Sequence, residues 1–129
     1  MLTISYDEDN GIVCTVADRI VSPADFDRHL PQYRELLGRS RARHGRSLHL
    51  VDATFSPVQT RDTFRHISQL SSGTILPDDR CALIVKSTLH RLQMSRLPHG
   101  ETRRFFTDRD AAMEWLLEER QASRAGVTP

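Results

Sequence analysis

The spacing of apolar residues changes repeatedly along the chain, and each change marks a new element. Leu2, Ile4 and Tyr6 alternate with Thr3 and Ser5, the two-residue period of a half-buried strand. Asp9-Asn10-Gly11 tolerates positive φ and suits a tight turn, after which Ile12 to Val16 returns as a second strand. The chain thus opens on an antiparallel hairpin. At Ser22-Pro23-Ala24-Asp25 the period lengthens: a serine cap, proline in the first turn and a carboxylate three residues after the cap together start a helix. Phe26, Leu30, Tyr33 and Leu37 fall on one face of that helix. Pro31 lies inside it and predicts a kink rather than two helices, because the apolar stripe keeps its phase across the proline. Gly38 and the polar run Arg39 to Arg46 end it.

Leu48-His49-Leu50-Val51 is a short, mostly apolar run closed by Asp52, the signature of a strand buried in a parallel sheet. A helix is predicted from about Thr60 to Leu70 with Phe64 and Ile67 inward, followed by breakers at Ser71-Ser72-Gly73 and Pro77-Asp78-Asp79. Cys81 to Val85 is a second buried strand, and Ser87 or Thr88 caps a helix carrying Leu89 and Leu92. Thr102 to Phe106 is the last strand. Thr107 with Asp110 caps the final helix, which carries Ala112, Trp115 and Leu116 and frays over 122–129. The order β-β-α-β-α-β-α-β-α predicts an α/β fold: a mixed, mostly parallel five-stranded sheet with an N-terminal antiparallel hairpin. Residues 1–121 form one domain in this reading.

Composition narrows the function classes. The balance of 27% charged and 38% hydrophobic residues is that of an ordinary globular chain, and 129 residues suffice for a core without disulfide or metal. No apolar run approaches the length of a membrane span, and the start of the chain lacks the basic-then-apolar order of a signal peptide, so the expected location is cytoplasmic. A net charge of +1 argues against nucleic acid as a partner. Lys86 is the only lysine, and the remaining basic residues are arginines. Four of these, with His44, lie between Arg39 and Arg46, where a helix C-terminus favours cations. The run reads as a solvated connection, with an anion-binding patch as the alternative.

Catalytic signatures are lacking. His29, His44, His49, His66, His90 and His99 show neither HExxH nor HxH spacing, so no metal or other cofactor is expected. Cys14 and Cys81 form no CxxC pair and read as buried free thiols. Cys81 and His49 would come within reach of each other if their strands are neighbours, but nothing marks either thiol as activated. Open α/β sheets collect ligands beyond the carboxyl ends of their parallel strands. Those ends present Asp52, Thr54 and Ser56, with Thr60 opening the next helix, and then Lys86, Ser87 and Thr88. These seven residues are the ligand-site candidates, with backbone N–H groups at the helix starts available to an anion.

Three phrases carry a resemblance that covers nearly the whole chain: Ser22-Pro23-Ala24-Asp25-Phe26 with Leu30-Pro31, Leu48-His49-Leu50-Val51-Asp52, and the run Arg104 to Leu116, which is the most specific. With the element order they resemble the STAS-like, SpoIIAA-like domains of bacteria, the family of the anti-sigma-factor antagonists. The resemblance implies a non-enzymatic regulatory module that binds a protein partner or a second copy of itself. It also admits a small apolar or anionic ligand. The alternative is a small-molecule binder or an enzyme working at the strand ends. In the antagonists a phosphorylatable serine follows Asp and precedes Gly at a helix start after the third strand. The matching stretch, Phe55 to Asp62, has neither the Asp-Ser pair nor the glycine. The phosphoserine site is therefore not carried over to Ser56.

Overall fold

The computed structural model describes the backbone of residues 1–127 and the side chains of residues 1–120. The tail expected over 122–129 falls outside the residues whose side chains are described. Five strands, β1 (Leu2–Asp7), β2 (Ile12–Asp18), β3 (Leu48–Phe55), β4 (Arg80–Ile84) and β5 (Arg103–Phe106), form one sheet in the order β1-β2-β3-β4-β5. β1 pairs antiparallel with β2, and every later pair is parallel. The connecting helices are α1 (Pro23–His44), α2 (Arg61–Thr74) and α3 (Thr88–Met94), and α4 (Arg109–Val127) follows β5.

Each parallel strand is laid down beside the one before it, so successive right-handed crossovers put their helices on the same face. Alternation along β3 separates the two faces. Leu48 and Leu50 pack with Ile12, Ala82, Ile84 and the α4 residues Ala112 and Leu116 in one continuous core. On the other face, under α1, α2 and α3, the core is divided. Val13, Leu36 and Leu37 form one cluster, and Ala53, Leu83, Val85, Met94 and Leu97 form another.

The hairpin turn uses Gly11 in the left-handed region at φ +67, with its N–H donating to the Asp7 carbonyl at 2.7 Å. The Ser22–Asp25 capping box forms as its spacing predicts, and α1 continues unbroken through Pro31. It does not end at Gly38. The inward stripe continues as Ser40 and His44, both buried, and the helix stops at Gly45, which takes the left-handed cap at φ 80. These two polar residues are anchors: Ser40 Oγ donates to Gly11 O at 2.7 Å and accepts from Leu48 N at 2.9 Å, while His44 Nε2 donates to Asn10 O at 2.9 Å. An apolar stripe was the only sign the sequence offered, and it turns polar where hydrogen bonding takes over the packing.

The arginine run therefore occupies the last turns of α1 and the residue just beyond its cap, not a free connection. Arg39 pairs with Glu8, Arg43 donates to the carbonyls of Glu8 and Asp9, and Arg46 bridges Asp78 and Glu119. Arg41 grips Asp79 through two nitrogens, at 3.1 and 2.7 Å, and also donates to the Thr74 carbonyl. Asp79 further accepts from Ser47 N and Leu76 N, so one carboxylate joins α1, the end of α2 and the starts of β3 and β4.

Smaller departures have local causes. α2 runs through Ser71-Ser72-Gly73 to Thr74, since breakers in a last turn cost only fractions of a kcal/mol, up to about 1 for Gly. In α3 it is His90 and Met94 that face inward, one turn apart, whereas Leu89 and Leu92 are exposed. The cap of α4 is Asp108, whose carboxylate accepts from Asp110 N and Ala111 N, rather than Thr107. Among the described residues, no helix is long and apolar enough to cross a membrane.

Candidate ligand site

Between the two clusters of the divided face lies a pocket of about 170 Å³. Its floor is the sheet, with Ile4, Thr15, His49, Val51, Cys81 and Leu83. Its walls are Phe26, Leu30 and Tyr33 of α1, Ile67, Leu70 and Thr74 of α2, and His90 and Met94 of α3. The stripe predicted for α1 therefore serves two purposes: Leu37 is core, while Phe26, Leu30 and Tyr33 remain half-buried because they border this space. Strand pairing places the polar members of the floor in a row, with His49 opposite Cys81 and Cys81 opposite Arg103.

His49 is the centre of the polar floor. It is 6% exposed, and both ring nitrogens are engaged: Nε2 with Thr15 Oγ1 at 2.8 Å and Nδ1 with Tyr33 Oη at 2.9 Å. Burial lowers its pKa to about 3, with Asp79 pulling the other way, so the ring is neutral near pH 7. Burial also pushes the Tyr33 phenol well above its ordinary value and the Cys81 thiol up to about 11. His49 and Cys81 are thus neighbours, as adjacent strands allow, but both are held neutral, and a thiolate–imidazolium pair has no support in this setting. At the β5 end Arg103 directs its two terminal nitrogens to the carbonyls of Met94 and Pro98, tying down the connection from α3.

An amide pairing stands beside the pocket at Gln59. Gln93 of α3 accepts from Gln59 N and donates to Gln59 O, both at 2.8 Å, which joins α3 to the segment before α2. His90, three residues before Gln93 in α3, is 2% exposed. Burial lowers its pKa against a hydrogen bond with the Ser56 backbone.

The seven residues singled out at the strand ends occupy separate places. Asp52 lies on the α4 face, accepting from the N–H and hydroxyl of Thr54, with Arg109 3.9 Å away. Lys86 donates to the Thr107 carbonyl. Ser87 caps α3, and exposed Thr88 begins it. Thr60 caps α2, accepting from Thr63 N at 3.2 Å. Ser56, 8% exposed, is the only one of the seven among the residues bordering the pocket. Its hydroxyl donates weakly to Arg19 O at 3.4 Å and accepts from Gln59 at 3.0 Å. What sequence reasoning missed is Thr15 and Thr74, and the meeting of His49 with Thr15 and Tyr33. The one available sign was a histidine inside the apolar run of β3. Among the described residues no group of three or more His, Cys, Asp or Glu could hold a metal ion.

No protein-family model matches the chain, and no curated protein matches it. Among solved structures it is similar to an uncharacterized protein of the DUF3478 family from Shewanella loihica PV-4, described as having a SpoIIAA-like fold. The two share 19% identity over 90% of this chain and 92% of that one, with a TM-score of 0.63. The sequential sheet, its antiparallel first strand and the three-against-one placement of helices are therefore those of a SpoIIAA-like fold.

Proposed function

We propose that this protein is a non-enzymatic binding module that holds one small, largely apolar molecule between its sheet and helices α1, α2 and α3. The observation that carries the reading is the pocket of about 170 Å³ dividing a face that would otherwise close into one core. A native interior has few voids larger than a water molecule, and an apolar cavity of roughly 150 Å³ is enough to take up benzene. The absence of an activated nucleophile supports binding over catalysis, since His49, Cys81 and Tyr33 are all held in their neutral forms. Amide-detected NMR titration with benzene tests it. Saturable shifts should centre on Val51, Ala53 and Leu83; shifts absent, or confined to exposed side chains, would refute the reading.

A second reading, contact with a protein, has its own observation. Ile20 and Phe55 are each 76% exposed, and their segments are joined by the hydrogen bond from Arg19 N to Phe55 O. Exposed apolar groups held together at a strand end suit protein contact. Sedimentation of the wild type and of Phe55→Asp checks for self-association: a wild-type dimer that the substitution dissolves supports this reading, and an unchanged monomer opposes it.

A further inference from the structure

Resting on that pocket, we infer that its ligand is a neutral molecule bearing one hydrogen-bond-accepting oxygen, which meets the Thr15–His49–Tyr33 relay on the floor of the pocket. The inference follows from counting hydrogens. A neutral imidazole carries one N–H and one bare nitrogen, and each hydroxyl carries one hydrogen. If Nδ1 holds the ring proton, it donates to Tyr33 Oη, Thr15 donates to Nε2, and the Tyr33 hydrogen has no partner within the relay. If Nε2 holds the proton, it donates to Thr15 Oγ1, Tyr33 donates to Nδ1, and the Thr15 hydrogen has none. Both contacts are short enough to be real hydrogen bonds, 2.8 and 2.9 Å, so these two arrangements exhaust the neutral relay. Each leaves one O–H over. The tautomer decides only at which end it stands.

Both relay ends border the pocket, and no other hydrogen-bond partner of either hydroxyl is present among the described residues. A second, independent polar atom points to the same requirement. Thr74, 7% exposed and lining the same pocket, has a buried Oγ1 with no hydrogen-bond partner. An unmet buried donor carries its desolvation penalty uncompensated, and a ligand oxygen that accepts from it recovers part of that cost. Among the remaining polar groups of the lining, His29 donates from Nδ1 to the Asp25 carbonyl at 2.8 Å, one turn back in α1. Ser56 and Gln59 are bonded to each other, and Arg103, two strands from His49 along the row, turns its terminal nitrogens to backbone carbonyls, so no cation among the described residues touches the relay to balance a carboxylate there. A ketone, ester or ether oxygen on a body about the size of a benzene ring fits this chemistry. A hydrocarbon leaves the spare hydrogen unmet, and an anion seated on the relay would be desolvated with no counter-charge in contact.

Three probes with equal numbers of heavy atoms separate the possibilities: acetophenone, its hydrocarbon isostere α-methylstyrene, and benzoate, each titrated calorimetrically into the wild-type protein. Acetophenone should bind about tenfold more tightly than α-methylstyrene, and benzoate more weakly than either. In the Thr15→Val/Tyr33→Phe/His49→Leu/Thr74→Val variant, α-methylstyrene should still bind and the preference for the ketone should vanish. That retained binding shows the variant to be folded. In the wild type, ketone binding should also move the ¹⁵N shifts of His49 towards a single tautomer. Equal affinity for ketone and hydrocarbon would overturn the oxygen assignment and leave the pocket standing. Tighter binding of benzoate would overturn the neutral class. Failure of all three probes would refute the pocket itself, and with it this inference.

Discussion

Replacing His49 with glutamine should remove most of one particular pH dependence from the stability of this protein. In the folded chain burial holds the imidazole down to a pKa of about 3, whereas an unfolded histidine titrates near about 6.5. Between those values the unfolded state binds the extra proton, so unfolding gains ground as the pH falls. The sign follows: the His49 contribution is complete above about pH 6.5 and declines below it, towards the folded value. With an unfolded value of 6.5, the loss at pH 5 relative to pH 8 is about 2 kcal/mol. Glutamine offers one donor and one acceptor towards Thr15 and Tyr33 but cannot titrate. Whatever stability His49→Gln loses at pH 8 through imperfect geometry, it should lose no further amount from this source at pH 5. His90, also lowered by burial, and the carboxylates contribute to both proteins and cancel in the difference. Urea unfolding followed through Trp115, the only tryptophan, reads the α4 face and stands apart from the substituted side. The stability gap between wild type and variant should narrow by about 2 kcal/mol from pH 8 to pH 5. A gap that stays constant, or a His49 resonance titrating near 6.5, would refute the argument from burial.

Other consequences are simpler to check. Asp79→Asn should cost about 3 kcal/mol in chemical denaturation, because Arg41 loses its bidentate partner and two backbone N–H groups lose a charged acceptor. Although burial opposes it, the bonds from Arg41, Leu76 and Ser47 hold the Asp79 pKa below its ordinary value. This contribution is therefore present above the unfolded carboxylate pKa and is lost as pH falls through the folded one. Gly11→Ala should lower stability by about 2 kcal/mol, since φ +67 is unfavourable for alanine and its Cβ would lie 2.5 Å from His44 Nε2. Thr60→Ala should cost about 1 kcal/mol through loss of the α2 cap, measured by thermal unfolding. Cys81, with its thiol pushed up to about 11, should resist iodoacetamide at pH 8 until urea opens the fold, and mass spectrometry locates the adduct.

Local signals determined much of this protein before any tertiary contact was considered. The alternation in Leu2-Thr3-Ile4-Ser5-Tyr6, the Asp9-Asn10-Gly11 turn and the Ser22–Asp25 capping box act over a few residues, and all appear as their spacing predicts. From them follow the element order, the antiparallel start and the parallel remainder. Such features are legible because a strand period, a left-handed turn and a helix cap are properties of short stretches of backbone. The end of α1 was not, because Ser40 and His44 are inward for the bonds they make to Gly11, Leu48 and Asn10, residues distant in the chain. Nor was the inward turn of His90 in place of Leu89, which depends on what lies beneath α3.

The pocket belongs wholly to the tertiary level. Thr15, Tyr33, His49 and Thr74 come from β2, α1, β3 and α2, and each alone is an ordinary residue in an ordinary element. Sequence reasoning looked to the strand ends because hydroxyls and charges stand in the open there. In the fold those groups are taken up by caps and local bonds, as with Ser87, Thr60 and Lys86. Whether facing side chains meet or leave a gap is set by their summed volumes across three helices and a sheet. That sum has no period and no motif, so only the assembled structure reveals it.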